Sequence, residues 1–286
     1  MIRLALLLAL LVPQDAVKPR YAAEKSAKDR VYCELKMGVK IEGTDQLANF
    51  VRSMHPFLSM EKLVIRAEGG SQVTAKNRRK VDYDEARVEL RYDDEEHEYD
   101  YQKGQAPEGD KNKLRQMMWY FAAGGKNYTL SAEGEFRSDD PNQDHNGEAM
   151  DLIALGVTRM PDKEVKEGDV YEKGWKGQRS EKNKQAKFDF KQKVTVEKIE
   201  EKDGKKVATL SSDLTGKLDG PKDPSAEEGW TKCEGKTKTV IEVESGRVLA
   251  SEGKGTVIGY FKNTAENGSK QELRMTFSVE GKLAVK

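Results

Sequence analysis

The chain has 286 residues, enough for one large or two modest domains, and its 36% hydrophobic content against 35% charged residues describes a lean core under a heavily charged surface. Its 50 Lys and Arg and 50 Asp and Glu cancel to a formal net charge of zero. That balance leaves no global field to draw in nucleic acid or an anionic membrane, so neither is expected as a partner.

Met1-Ile2-Arg3, the apolar run Leu4–Val12 and Pro13–Ala16 have the layout of a short signal peptide, with cleavage expected after Ala16. The run is too short to span a bilayer, which needs roughly 18 to 20 apolar residues. The mature chain is therefore expected to be soluble, exported to the periplasm or the extracellular space, and without a transmembrane segment.

The polar lead-in Val17–Arg30 precedes a strand in which Val31, Cys33, Leu35, Met37, Val39 and Ile41 alternate with a largely polar face. Thr44 or Asp45 then caps a short helix striped by Leu47, Phe50, Val51 and Met54. Leu63–Arg66, Gln72–Lys80 and Arg87–Tyr92 read as strands, with Glu68–Ser71 as a turn. The basic run Lys76–Lys80 and the acidic run Asp93–Glu96 are assigned to solvated edges, where charge discourages pairing with another molecule. A helix striped by Leu114, Met117, Met118 and Phe121, a hairpin from Asn127 to Arg137, and a helix Glu148–Leu155 stopped by Gly156 complete the first half.

Met160–Trp175, punctuated by Pro161 and Gly168-Asp169, reads as the boundary between an α+β half (17–159) and an antiparallel β half (160–286). About six strands are expected in the second half. Asp203-Gly204, Ser245-Gly246 and Asn267-Gly268 mark its connections. The predicted fold is α+β, mainly curved antiparallel sheet resembling a half-barrel in two consecutive halves, with a few short helices in the first.

Candidate chemistry is sparse. From Asp140 the spacing places Asp140, Asn142, Asp144, Asn146, Glu148 and Asp151 at positions 1, 3, 5, 7, 9 and 12 of a calcium-type loop, and calcium is the one cofactor to consider. His145 stands where the sharp turn wants glycine, and Asp151 replaces the usual bidentate Glu, so a solvated linker is the preferred reading. His55, His97 and His145 lack partners at metal-ligand spacing. Asp93, Glu96, His97, Glu98 and Asp100 could form an acid-base cluster, which would make the chain a hydrolase; a charged edge is the blander reading. Cys33 and Cys233 admit one disulfide joining the halves or two buried thiols. Trp175 and Trp230 are candidate rim anchors.

Pro161, Val165, Gly168-Asp169 and Tyr171, the strands Val88–Tyr92 and Phe188–Ile199, Asp203-Gly204-Lys205 and Tyr128–Ser131 resemble an uncharacterised family of exported bacterial proteins. In that family a Val-x-x-Gly-Asp-x-aromatic turn introduces a β-rich second half. The resemblance implies an exported β-rich protein and brings no activity, cofactor or site with it.

No catalytic residue is assigned, and the chain is read as non-enzymatic. The leading expectation is an apolar groove between sheet and helices, lined by Phe50, Met54, Met117, Phe121, Phe188 and Phe190, for a lipid or other hydrophobic ligand. The alternative is a structural or interaction module of the cell envelope with a filled core and a protein partner.

Overall fold

In a computed structural model, residues 16–22, 26–44, 47–49, 52, 60–92, 94–105, 113–123, 126–138, 145–181, 184–219, 228–264 and 268–286 are described. The strands are β1 (Asp29–Gly43), β2 (Met60–Ala75), β3 (Arg78–Tyr92), β4 (Glu95–Gln102), β5 (Lys126–Leu130), β6 (Phe136–Ser138), β7 (Val170–Glu181), β8 (Lys184–Lys202), β9 (Lys205–Asp219), β10 (Glu228–Glu242), β11 (Val248–Thr264) and β12 (Lys270–Val285). Among the described residues the helices α1 (Lys113–Ala123) and α2 (His145–Ala154) accompany them, and residues 47–49 and 52 are also helical, within the short helix expected after β1. The strands form one sheet in the order β6-β5-β3-β2-β1-β12-β11-β10-β9-β8-β7, with β4 also paired to β3. Every pairing is antiparallel, and β6 and β7 are not paired to each other, so the curved sheet stays open.

The period-two pattern explains the pairing. On β1 the apolar set Val31 to Ile41 faces inward, and β1 pairs with β12 through Cys33 opposite Leu283 and Val39 opposite Phe277. This seam joins the N-terminal strands to the C-terminal ones, with thirteen residue pairs from Val31↔Val285 to Gly43↔Leu273. On the inner face Val88, Leu90, Val194, Val196, Leu210, Leu214, Ile241 and Val257 are buried. The outer face of the same strands carries alternating charges paired across strands, such as Lys36 with Glu280 and Lys238 with Glu197.

Helix α2 and the chain after it fill the inner face. Gly156, in the left-handed region at φ 61°, ends α2 and lets it abut β11, where a Cβ would meet the backbone of Glu252 at 2.5 Å. Beneath α2 the sheet carries no side chains at Gly235, Gly253, Gly255 and Gly281. A Cβ on Gly253 would lie 1.8 Å from Ile153 O, and one on Gly281 would lie 2.0 Å from Ala154 O.

The segment Gly156–Pro161 then crosses β8 to β11 without regular structure, and inward polar side chains satisfy its backbone. Gln192 Nε2 donates to Val157 O and Gln192 Oε1 accepts from Arg159 N, both at 2.8 Å. Thr239 Oγ1 donates to Gly156 O at 2.8 Å, and Tyr171 OH donates to Arg159 O at 2.8 Å. The Met160 N–H donates to Glu133 O in the β5–β6 connection, so this segment bridges the two unpaired margins of the sheet.

Two local expectations are corrected. Glu68–Ser71 is not a turn: it lies inside β2, where a register shift at Glu68/Gly69 bends the strand and Gly69 lets Asp82 O approach to 1.8 Å of the Cβ position. The reversal falls instead at Lys76-Asn77, with Asn77 at φ 59°. The second correction concerns Val170–Trp175, which is not connector but the first half of β7, paired with β8 from Val170↔Thr195 onward.

Candidate functional site

The lead-in to β1 runs as a strap across one end of the curved sheet. Val17 and Val165 exchange two backbone hydrogen bonds, Tyr21 N donates to Ala132 O, Ala22 N to Gly246 O, and Ser26 N to Val73 O. Its anchor is Tyr21, only 3% exposed, whose hydroxyl donates to Thr158 O at 2.9 Å and accepts from Thr158 N at 3.1 Å. Burial raises the Tyr21 pKa, so the phenol stays protonated.

Between the strap, the sheet and the start of the Gly156–Pro161 segment lies a cavity of about 390 Å³. Val31, Val73, Leu130, Leu155, Val157, Leu283 and Val285 supply apolar wall, and Tyr21 and Tyr128 supply aromatic wall. Among the described residues, three charged ones line it: Asp29, Arg79 and Arg247. Asp29 and Arg247 form a two-contact ion pair, at 2.8 Å to Nη2 and 3.1 Å to Nε, in the more exposed part of the wall.

Arg79 differs from both. It is 8% exposed, its Nη2 donates to Ala22 O at 2.7 Å, and its guanidinium sits 5.5 Å from the centre of the Tyr21 ring. Its Nε has no hydrogen-bond partner, and no carboxylate of the described residues pairs with it. This corrects the assignment of Lys76–Lys80 to a solvated edge: Lys76 and Arg78 are exposed, but Arg79 shares the inward parity of Val81 and Tyr83. That parity was the readable signal, masked by four polar neighbours.

The groove residues fare differently. Phe50 and Met54 lie outside the described residues; Met117 and Phe121 fall on α1 and Phe188 on β8, but their side chains lie outside the description. Phe190 is buried at 4%, stacked on Trp175 at 4.9 Å, and does not line the cavity. Trp175 is a packing residue, with the Arg159 guanidinium 5.4 Å from the centre of its ring, while Trp230 stacks on Tyr260 at 5.3 Å.

Of the two readings of the cysteines, the structure has the buried thiols, because both are free. The register row of Cys33 runs through Leu283 and Ser251 to Thr239, six residues along β10 from Cys233. Six residues of strand span about 20 Å, far beyond a disulfide's reach. Burial pushes both thiols up to about 12, which leaves them protonated and unreactive.

In the acidic cluster, Asp93 lies outside the described residues and the rest sits on β4. Alternation puts His97 on the opposite face from Glu96, Glu98 and Asp100; His97 lies 3.8 Å from Glu95, and Glu98 pairs with Arg87. These groups do not converge. Asp140, Asn142 and Asp144 of the calcium-type loop lie outside the described residues, Asn146 and Glu148 fall in the first turn of α2, and Asp151 is a buried residue of that helix. Among the described residues no group of three acidic, His or Cys side chains is placed to hold a metal, and no helix is long and apolar enough to cross a membrane.

Comparison of the chain with protein-family models and with curated proteins finds no match. Among solved structures, a double mutant of the vaccine antigen transferrin binding protein B from Haemophilus parasuis aligns at 8% identity and a TM-score of 0.11, covering 92% of this chain and 78% of that one. At that score the likeness carries no argument. The fold and cavity therefore define the chain on their own terms, as a β-rich protein whose open sheet borders a small pocket beneath the strap.

Proposed function

We propose that this β-rich chain is an exported, non-enzymatic binding protein that holds a small hydrophobic ligand in the cavity beneath the strap. The observation that carries this reading is a chamber of about 390 Å³ with mostly apolar walls, within the usual range of small-molecule sites. A structural module with a filled core has no need of such a space, since interiors are close-packed and voids forfeit contact energy. The export assignment rests on the N-terminal sequence pattern.

Native mass spectrometry of the protein isolated from its own host is expected to find a stoichiometric lipid-like adduct. Leu283→Trp, which projects bulk into the chamber from β12, is expected to abolish it while the thermal transition remains cooperative. A ligand-free wild-type protein that also fails to take up added decanol or decanoate would leave the structural module as the better reading.

A further inference from the structure

Resting on that reading, we propose that the cavity ligand is an amphiphile with a single carboxylate, its head on Arg79 and its tail along the apolar wall. The first argument is charge. Of the three charged residues among those described that line the chamber, Asp29 and Arg247 neutralise each other, which leaves Arg79 without a counter-charge among the described residues. Buried charges without a partner are costly, and arginine cannot shed its proton to escape that cost.

The second argument is geometry. The contact with Ala22 O uses one of five N–H donors, and an uncharged amide would hold the strap equally well. The Nε–H remains unpartnered in a residue more than nine-tenths buried. A planar guanidinium matches a carboxylate, which its remaining Nη donors can meet with charge-assisted hydrogen bonds.

The third argument is size and polarity. At about 30 Å³ for each water-sized group, a chamber of this volume takes roughly a dozen. That suits a medium-length acyl chain. Tyr128 and Leu130 on β5 and Val157 supply apolar surface, and the described residues there offer a second anionic group no counter-charge.

The test is calorimetric titration of the full chain with decanoate, decanol and decyltrimethylammonium, for the wild type, Arg79→Met and Arg79→Lys. Wild-type protein is expected to bind decanoate at least about tenfold more tightly than decanol and to reject the cation, as charge-assisted bonding requires. Arg79→Met should lose that preference and keep its affinity for decanol, while Arg79→Lys should keep part of it. Equal affinity for decanoate and decanol in the wild type, or an unchanged ratio in Arg79→Met, overturns the carboxylate assignment and leaves the apolar chamber standing. Binding of none of the three probes overturns the chamber itself. If Arg79→Met does not fold, the Lys variant and the wild-type ratio decide the question.

Discussion

Two regions on the inner face of β10–β12 lie two residues apart along the same strands and meet opposite fates. Under α2, β11 presents Gly253 and β12 presents Gly281, and the helix backbone rests directly on the sheet. Two residues further, the same strands present Ser251 and Leu283, the cover is the extended strap, and a chamber of about 390 Å³ remains. Close packing here follows from removing side chains on the sheet so that a helix can descend; the chamber follows where side chains hold a thinner cover away. One end of the inner face is thereby closely packed and the other leaves open space.

The largest expected effect breaks the packed side. Gly253→Ala places a Cβ 1.8 Å from the carbonyl of Ile153, so helix or strand must move, at a cost of about 3 kcal/mol. Gly259→Ala, on the same strand with Met275 Cε at 3.8 Å, is the control and should change stability by less than about 1 kcal/mol. Urea unfolding of the pair measures the contrast, and equal midpoints would mean that α2 is not seated on these glycines. Next in size is Gln192→Leu, which leaves Arg159 N buried without its partner and Val157 O with only the longer bond from Thr237 Oγ1 at 3.3 Å. A loss of about 2 kcal/mol is expected in the same assay. A variant as stable as wild type would show that the segment's backbone finds other partners.

The chamber side responds differently. Arg79→Met removes an uncompensated buried charge together with one bond to Ala22 O, two effects of opposite sign. Ligand-free stability should therefore move by no more than about 1 kcal/mol, and a loss several times larger would assign Arg79 to the scaffold. An arginine that is dispensable for folding and needed for anion preference is what separates a binding residue from a packing one.

The contrast also explains what could be read from sequence. Alternation alone located most strands, because each has one buried face; β12 through Leu273, Met275, Phe277 and Val279 is typical. Asp203-Gly204 and Ser245-Gly246 marked their hairpins because those turns need left-handed backbone, supplied at φ 53° and 73° in the first and 68° at Gly246. Gly69-Gly70 misled because glycine serves a bulge as readily as a turn. The site was less visible. Its walls come from nine separate stretches of chain, and its one informative residue sits in Lys76-Asn77-Arg78-Arg79-Lys80, where charge suggested solvent and only parity with Val81 and Tyr83 said otherwise. The glycines under α2 were equally silent, since their meaning depends on a helix more than 80 residues earlier in the chain.

The smallest expected effect sharpens the comparison through pH. Glu242, at the end of β10 beside the turn that Ala22 grips through Gly246, is held below the ordinary carboxylate range by Lys205, at 2.9 Å, and by Ser245. A carboxyl with a folded pKa below its unfolded value contributes stability in full above the unfolded value, about 4.3. That contribution is lost as pH falls through the folded value, because the unfolded chain takes up the proton first. Lys205 is largely exposed, so the term is expected to be below about 1 kcal/mol. Glu242→Gln should thus be slightly less stable than wild type at neutral pH, and the difference should shrink as pH falls below the unfolded value of about 4.3. Hydrogen-exchange protection of the Ala22 amide should fall with acid more steeply than that of Leu155, whose α2 seat is built from glycines that do not titrate. Parallel losses at both amides would mean that strap and seat open as one unit, and that the two ends of the inner face are not separable after all.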